Sequence, residues 1–193
     1  MSVPGEPPLK PETTGLVIVE GKHETYAFFG RFGASVQVLS CDGKEKLVAF
    51  LQRLGKTSGF ADQVTRVVVL LDNDSDPTGT ESAAKHAFLH SGFKELCRFI
   101  PVPGLNEKGM FEDLLLPQNL TDAEHACIDK FFECALSASK NARTPNGKAR
   151  MQVWLATRKP GRMLGSAIQE NIVDTNGARF NQLIERIRAD LRD

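Results

Sequence analysis

Along the first half of the chain the apolar positions switch between two periods. Gly15 to Val19 (GLVIV) is a short unbroken apolar run, the pattern of a buried strand. Lys22 to Phe32 moves to helical spacing, with Tyr26, Phe29 and Phe32 three apart along one side. Ser35 to Ser40 alternates Val36 and Val38 with polar residues and predicts a second strand, and Lys44 to Leu54 returns to helical spacing through Leu47, Phe50, Leu51 and Leu54. A polar, glycine-containing connection spans Gly55 to Gln63. Val64 to Leu71 then holds VVVLL, apolar on both faces as a central parallel strand is. It runs directly into Asp72-Asn73-Asp74-Ser75-Asp76-Pro77. A helix is predicted from Thr78 to His90 and a fourth strand from Leu96 to Val102, bounded by Pro101 and Pro103. This β-α-β-α-β-α-β order predicts an α/β fold with a mostly parallel four-stranded sheet flanked by helices.

The second half carries no strand pattern. Thr121 with Glu124 three residues on reads as a capping box, opening a helix through Ile128, Phe131, Phe132 and Leu136. Ser137 to Gly147 is polar. Helical spacing resumes over Lys148 to Thr157, Met163 to Ile168 and Ala178 to Leu191. The expected organisation is a flexible lead-in over residues 1–14, an α/β core over 15–118, and a helical part over 119–193 packed on that core.

Composition narrows the class. Apolar residues make up 41% and charged residues 25%, as in a globular domain. The 24 Lys+Arg balance 24 Asp+Glu, which excludes an obligately basic binder and an acidic disordered tail. The apolar runs are too short to cross a bilayer, and Met1 to Thr14, rich in proline, lacks the apolar core of a signal peptide. The four cysteines form no CxxC pair and predict reduced, buried thiols in a cytoplasmic protein, with Cys127 and Cys134 both facing the core. The N-x-S/T matches at Asn73 and Asn119 then carry no glycan.

Ligands of parallel α/β sheets collect at the carboxyl ends of the strands. Two acidic groups lie there: Glu20 in Glu20-Gly21-Lys22-His23-Glu24 after the first strand, and Asp72, Asp74 and Asp76 after the third. If those strands are neighbours, the carboxylates face one another and repel, and a divalent cation relieves the repulsion. Oxygen ligands suit Mg²⁺ or Mn²⁺ rather than zinc. Gly21 suits a tight strand-to-helix turn. A D-x-D after a strand taken alone has a second reading, a solvated turn that caps the next helix.

The pairing of Glu20-Gly21 after LVIV with Asp72-x-Asp74 after VVVLL resembles the Toprim domain, the Rossmann-like metal-binding domain of topoisomerases, bacterial primases and several nucleases. The E-G-x-x-E spacing to Glu24 is most similar to the overcoming-lysogenization-defect (OLD) nucleases and to small stand-alone bacterial Toprim proteins. The likeness covers residues 15–157, and its two acidic motifs are the specific part. It implies that Glu20, Asp72 and Asp74 bind Mg²⁺ or Mn²⁺, with Glu24 in a second acidic position and Asp76 as a further candidate. It also implies that Glu20 shuttles a proton. Gly109 to Pro117 (GMFEDLLLP) is similar to a segment following the fourth strand in these relatives, which singles out Glu112. Gly147-Lys148-Ala149 resembles a helix start where OLD-type nucleases place a lysine by the scissile phosphate, which singles out Lys148. The expected activity is metal-dependent cleavage of DNA or RNA phosphodiesters, in phage defence or repair. OLD nucleases carry an ATPase domain, none is expected within these 193 residues, and a separate ATPase is therefore an expected partner. A non-catalytic Toprim scaffold is the alternative. A haloacid-dehalogenase-like phosphatase, with Asp72 as nucleophile, is a minor one.

One further stretch bears on partners. Between Glu133 and Glu170 no acidic residue occurs, while Lys140, Arg143, Lys148, Arg150, Arg158, Lys159 and Arg162 do. Such a segment tracks a phosphate backbone or is a solvated basic face. Trp154 within it is expected in the core. Gly55-Lys56-Thr57 is not a P-loop, because Phe50 stands where its first glycine belongs. An EF-hand is excluded by Pro77 at the glycine position. His86 and His90, one turn apart, lack a third zinc ligand and read as exposed helix residues; His23 sits within the acidic turn.

Overall fold

A computed structural model describes residues 9–192. Strands β1 (Gly15–Val19), β2 (Val36–Ser40), β3 (Arg66–Asp72) and β4 (Cys97–Val102) form one sheet in the order β2-β1-β3-β4. Every pairing is parallel: Gly15 lies opposite Val36 on one side and Arg66 on the other, and Val67 lies opposite Cys97. The helices are α1 (Lys22–Phe28), α2 (Leu47–Leu54), α3 (Phe60–Gln63), α4 (Pro77–Ser91), α5 (Phe111–Asn119), α6 (Asp122–Ala138), α7 (Gly147–Arg158), α8 (Leu164–Gln169) and α9 (Ala178–Asp190). No helix among the described residues is long and apolar enough to cross a membrane.

The apolar runs of β1 and β3 are buried on both faces because the sheet separates two cores. Leu16, Ile18, Val67, Val69 and Leu71 point to one side and pack with α2, α3 and α4 through residues such as Leu51, Phe60 and Ala84. Val17, Val19, Val68 and Leu70 point to the other and pack with α1, α5, α7, α8 and α9, including Phe28, Leu115, Trp154 and Phe180. Side chains one residue apart in a strand thus serve opposite layers. Residues on both sides of position 118 share this second core. Of the expected lead-in, residues 1–8 lie outside the described residues, while Thr13 is fully buried and its hydroxyl donates to Gln37 Oε1 at 3.2 Å.

Five local expectations are corrected. Helix α1 stops at Phe28, because Phe29 leaves helical geometry and Gly30 takes a left-handed φ of 71°. The buried side of α1 is therefore Ala27 and Phe28, while Phe29 is 87% exposed. The predicted α2 start is a 3-10 turn over Lys44–Lys46, and the predicted connection after it contains the short α3. Phe111–Asn119, a stretch with no predicted element, is helix α5, its entry held by Met110 N–H donating to Asp113 Oδ2 at 2.9 Å. Cys127 and Cys134 are exposed, since α6 fully buries only Ile128. Cys41 and Cys97 are buried free thiols, each pushed up to about 12 by burial. Trp154 is buried, and His86 and His90 are exposed.

Candidate functional site

The sheet order makes β1 and β3 neighbours, and their carboxyl ends deliver Glu20 and Asp72 to one place. Asp72 N–H donates to Glu20 Oε2 at 3.3 Å, so the two strand ends are joined through a carboxylate. Phe111 N–H donates to Asp72 Oδ1 at 2.9 Å, drawing the start of α5 against the same atom. Thr80 of α4 donates its hydroxyl to Asp72 O at 3.2 Å. Glu24 stands on the first turn of α1, where a side chain at Gly21 would put its Cβ 2.7 Å from Glu24 Oε2. Glu20, Glu24 and Asp72 line a cleft of about 10 Å³ whose other walls are Val19, Phe28, Leu70, Val102 and Phe111. That is room for about one water-sized body.

An apolar wall beside crowded carboxylates disfavours charge. Burial pushes Asp72 up to about 9, and the fields of Glu20, Glu24 and Glu112 push the same way. Burial pushes Glu24 up to about 7, with Glu112 and Glu20 adding to the shift. Glu20 is raised by burial and by Asp74, against the bond from Asp72 N–H and the charge of Lys44. Glu112, on the first turn of α5, is raised by burial and opposed by Lys148. Glu24 Oε2 is buried without a hydrogen-bond partner. The donor set is all oxygen and carries more negative charge than its surroundings stabilise, which fits a hard divalent cation. Among the described residues, no three His, Cys, Asp or Glu side chains stand close enough to hold a metal ion as they are placed.

The turn after β3 separates its aspartates. Asn73 is fully buried, and its amide donates to Gly104 O at 2.9 Å and Glu107 O at 2.7 Å, tying the loop after β4 to the strand end. Asp74 has a left-handed φ of 48° and exchanges two backbone hydrogen bonds with Gly109, at 2.7 and 2.8 Å. Its carboxylate pairs with Lys44, from the loop after β2. Asp76 accepts from Gly79 N–H at 2.9 Å and caps α4, so the capping reading of this turn applies to Asp76. Lys44 was not singled out by the sequence, and Asn73 and Gly109 carried no site role there. Lys44 meets Asp74 only through the strand order, and Asn73 reads as one polar residue in a polar turn.

Lys148 enters from α7. Asn146 caps that helix by accepting from Ala149 N–H at 2.9 Å. A Cβ on Gly147 would lie 2.4 Å from Asp113 Oδ1, so the bare glycine lets α7 start against α5. The exposed Lys148 side chain acts electrostatically on Glu112 and on His23, whose pKa is lowered by burial and then by Lys148. The acid-free segment gains acidic partners in space. Arg150 pairs with Asp129, Arg158 with Glu124, and both Lys159 and Arg162 with Glu170. Lys140 and Arg143 are exposed and form no ion pair among the described residues.

A family model described as a protein of unknown function (DUF3226) matches residues 14–189. The chain belongs to that family. The match spans all four strands and every helix from α1 to α8, so the DUF3226 region contains Glu20, Asp72, Asp74 and Lys148 together. No curated protein and no solved structure matches the chain.

Proposed function

We propose that this DUF3226 protein is a Toprim-like, divalent-metal-dependent protein acting on nucleic-acid phosphodiesters. The observation that carries the reading is the meeting of Glu20 and Asp72 at adjacent parallel strand ends, beside a buried Glu24 oxygen with no partner. Glu20, Asp72 and Asp74 are the residues to hold Mg²⁺ or Mn²⁺, with Glu24 behind them. The ion supplies charge neutralisation on a phosphate and an acidified water. The chain supplies the rest. The pKa of Glu20, raised by burial, makes it a better base than an ordinary carboxylate and suits it to take and return a proton. Lys148, projecting from the capped start of α7, is placed to stabilise negative charge growing on a phosphate oxygen. Lys140 and Arg143, free of ion pairs among the described residues, are the strongest candidates to meet a DNA or RNA backbone beyond the reacting phosphate. Arg150, Arg158, Lys159 and Arg162 must first leave carboxylate partners.

The test is turnover. Supercoiled DNA, structured RNA and a chromogenic phosphomonoester are incubated with Mg²⁺ or Mn²⁺ and the wild type, Glu20→Gln or Lys148→Met. The expected result is nucleic-acid cleavage by the wild type, reduced about 100-fold or more in each variant. Cleavage that persists in Glu20→Gln contradicts the assignment, and consumption of the monoester alone favours the phosphatase reading. Absence of cleavage even with a separate ATPase added favours the scaffold.

A further inference from the structure

We infer that Lys44 is a resident counter-ion of the acidic cluster and competes with the divalent ion for Asp74. This inference rests on the metal-site reading above and adds a device that sets how tightly the site holds its ion.

The loop carrying Lys44 is built onto the end of β1. Cys41 N–H donates to Val19 O and Gly43 N–H to Glu20 O, each at 2.9 Å, and Ser40 Oγ donates to Glu20 O at 3.3 Å. Two successive residues with positive φ, Asp42 at 61° and Gly43 at 113°, turn the chain back over Glu20. A non-glycine residue in this region is disfavoured and is retained where its surroundings hold it. Here Asp42 is held by the Lys46 ammonium at 2.7 Å and by its own N–H donating to Ser40 Oγ at 3.1 Å. The turn delivers Lys44 at the first position of the 3-10 turn, and its ammonium reaches across the end of β1 to the Asp74 carboxylate.

The two partners differ in freedom. Asp74 has its backbone fixed by the paired bonds to Gly109, whereas Lys44 is a long side chain with several rotatable bonds. The pair is 35% and 39% exposed, so separating it does not strand a charge in the interior. The ammonium also lies in the field of Glu20 and Asp72, which places it where a cation serves the whole cluster. An ammonium and a divalent ion repel, and they cannot both occupy the same carboxylate oxygens. An ion on Asp74 therefore displaces Lys44 or binds against its repulsion, and its apparent affinity is lowered by that competition.

The experiment measures Mn²⁺ binding to the full chain by the electron paramagnetic resonance signal of free Mn²⁺, at fixed pH and ionic strength. Lys44→Gln and Lys44→Met both remove the charge and are expected to tighten binding about tenfold. Lys44→Arg restores the charge and should return affinity to the wild-type level, which a purely structural role for Lys44 does not predict. Lys85→Gln removes a distant exposed charge and should leave affinity unchanged, separating a local effect from net charge. In an Asp74→Asn background, Lys44→Gln should gain nothing, because the shared partner is gone. Equal or weaker binding in the charge-deleting variants, with the wild type still saturable, overturns the inference and leaves the metal site standing. No saturable binding in any of them overturns both.

Discussion

Asp72 ends a central strand, its oxygen accepts the first amide of α5, and its backbone is fixed by the sheet. It cannot move away from Glu20, so crowding has to be answered by a proton or a cation. This gives a sign to the pH dependence of the metal-free protein. Both Asp72, at about 9, and Glu24, at about 7, bind a proton more tightly folded than unfolded, where carboxylates titrate at about 4. Between those values the folded state holds more protons, so stability falls as pH rises. Urea unfolding in a chelator at pH 5, 7 and 9 is expected to lose on the order of a few kcal/mol across the series. Asp72→Asn should flatten the part above pH 7. A wild-type profile that is flat or rises with pH contradicts the account of this cluster.

At the scale of elements, the site is assembled by connections as much as by strands. Asn73 is the bolt between the β3 turn and the loop after β4, and that loop in turn holds Asp74 through Gly109. Asn73→Ala leaves the carbonyls of Gly104 and Glu107 without this donor and should destabilise the protein by about 1 kcal/mol. It should also speed hydrogen exchange at the amides of Asp74 and Gly109. Unchanged protection of those amides contradicts the bolting role. Much of this assembly was legible in the sequence. Strand β1 was bounded residue for residue, and β3 and β4 nearly so, because apolar runs closed by charged or proline-rich turns have one reading in a β/α alternation. Thr121 and Glu124 gave the start of α6, and the capping contact is present. Helix α5 was missed because its first turn and its Pro117 look like loop punctuation, while its burial depends on distant partners such as Phe28 and Phe180. The end of α1 was misplaced because Tyr26, Phe29 and Phe32 stand at helical spacing, whereas the helix buries Ala27 and Phe28 and leaves Phe29 exposed. Lys44 was invisible for a different reason: its meaning lies in an ion pair between two loops that the sheet order alone brings together.

For the molecule as a whole, two cores sandwich the sheet, and the one that carries the acidic edge is completed by the C-terminal helices. Phe28, Phe111 and Phe180, from α1, α5 and α9, meet with ring centroids 5.3 to 5.8 Å apart, and the first two line the cleft of Glu24 and Asp72. The floor that raises those carboxylates therefore draws on both ends of the chain. Net charge is zero, yet charge is unevenly distributed: acidic groups gather at the strand ends, while the basic segment is largely neutralised by Asp129, Glu124 and Glu170. The proposed cation would complete this arrangement, and diffraction locates it most directly. Crystals of the full chain soaked in Mn²⁺ should show an anomalous peak about 2.2 Å from carboxylate oxygens of Glu20, Asp72 and Asp74, with Lys44 turned away from Asp74. Peaks elsewhere in the crystal, with none at this edge and the Lys44–Asp74 pair intact, would contradict the account.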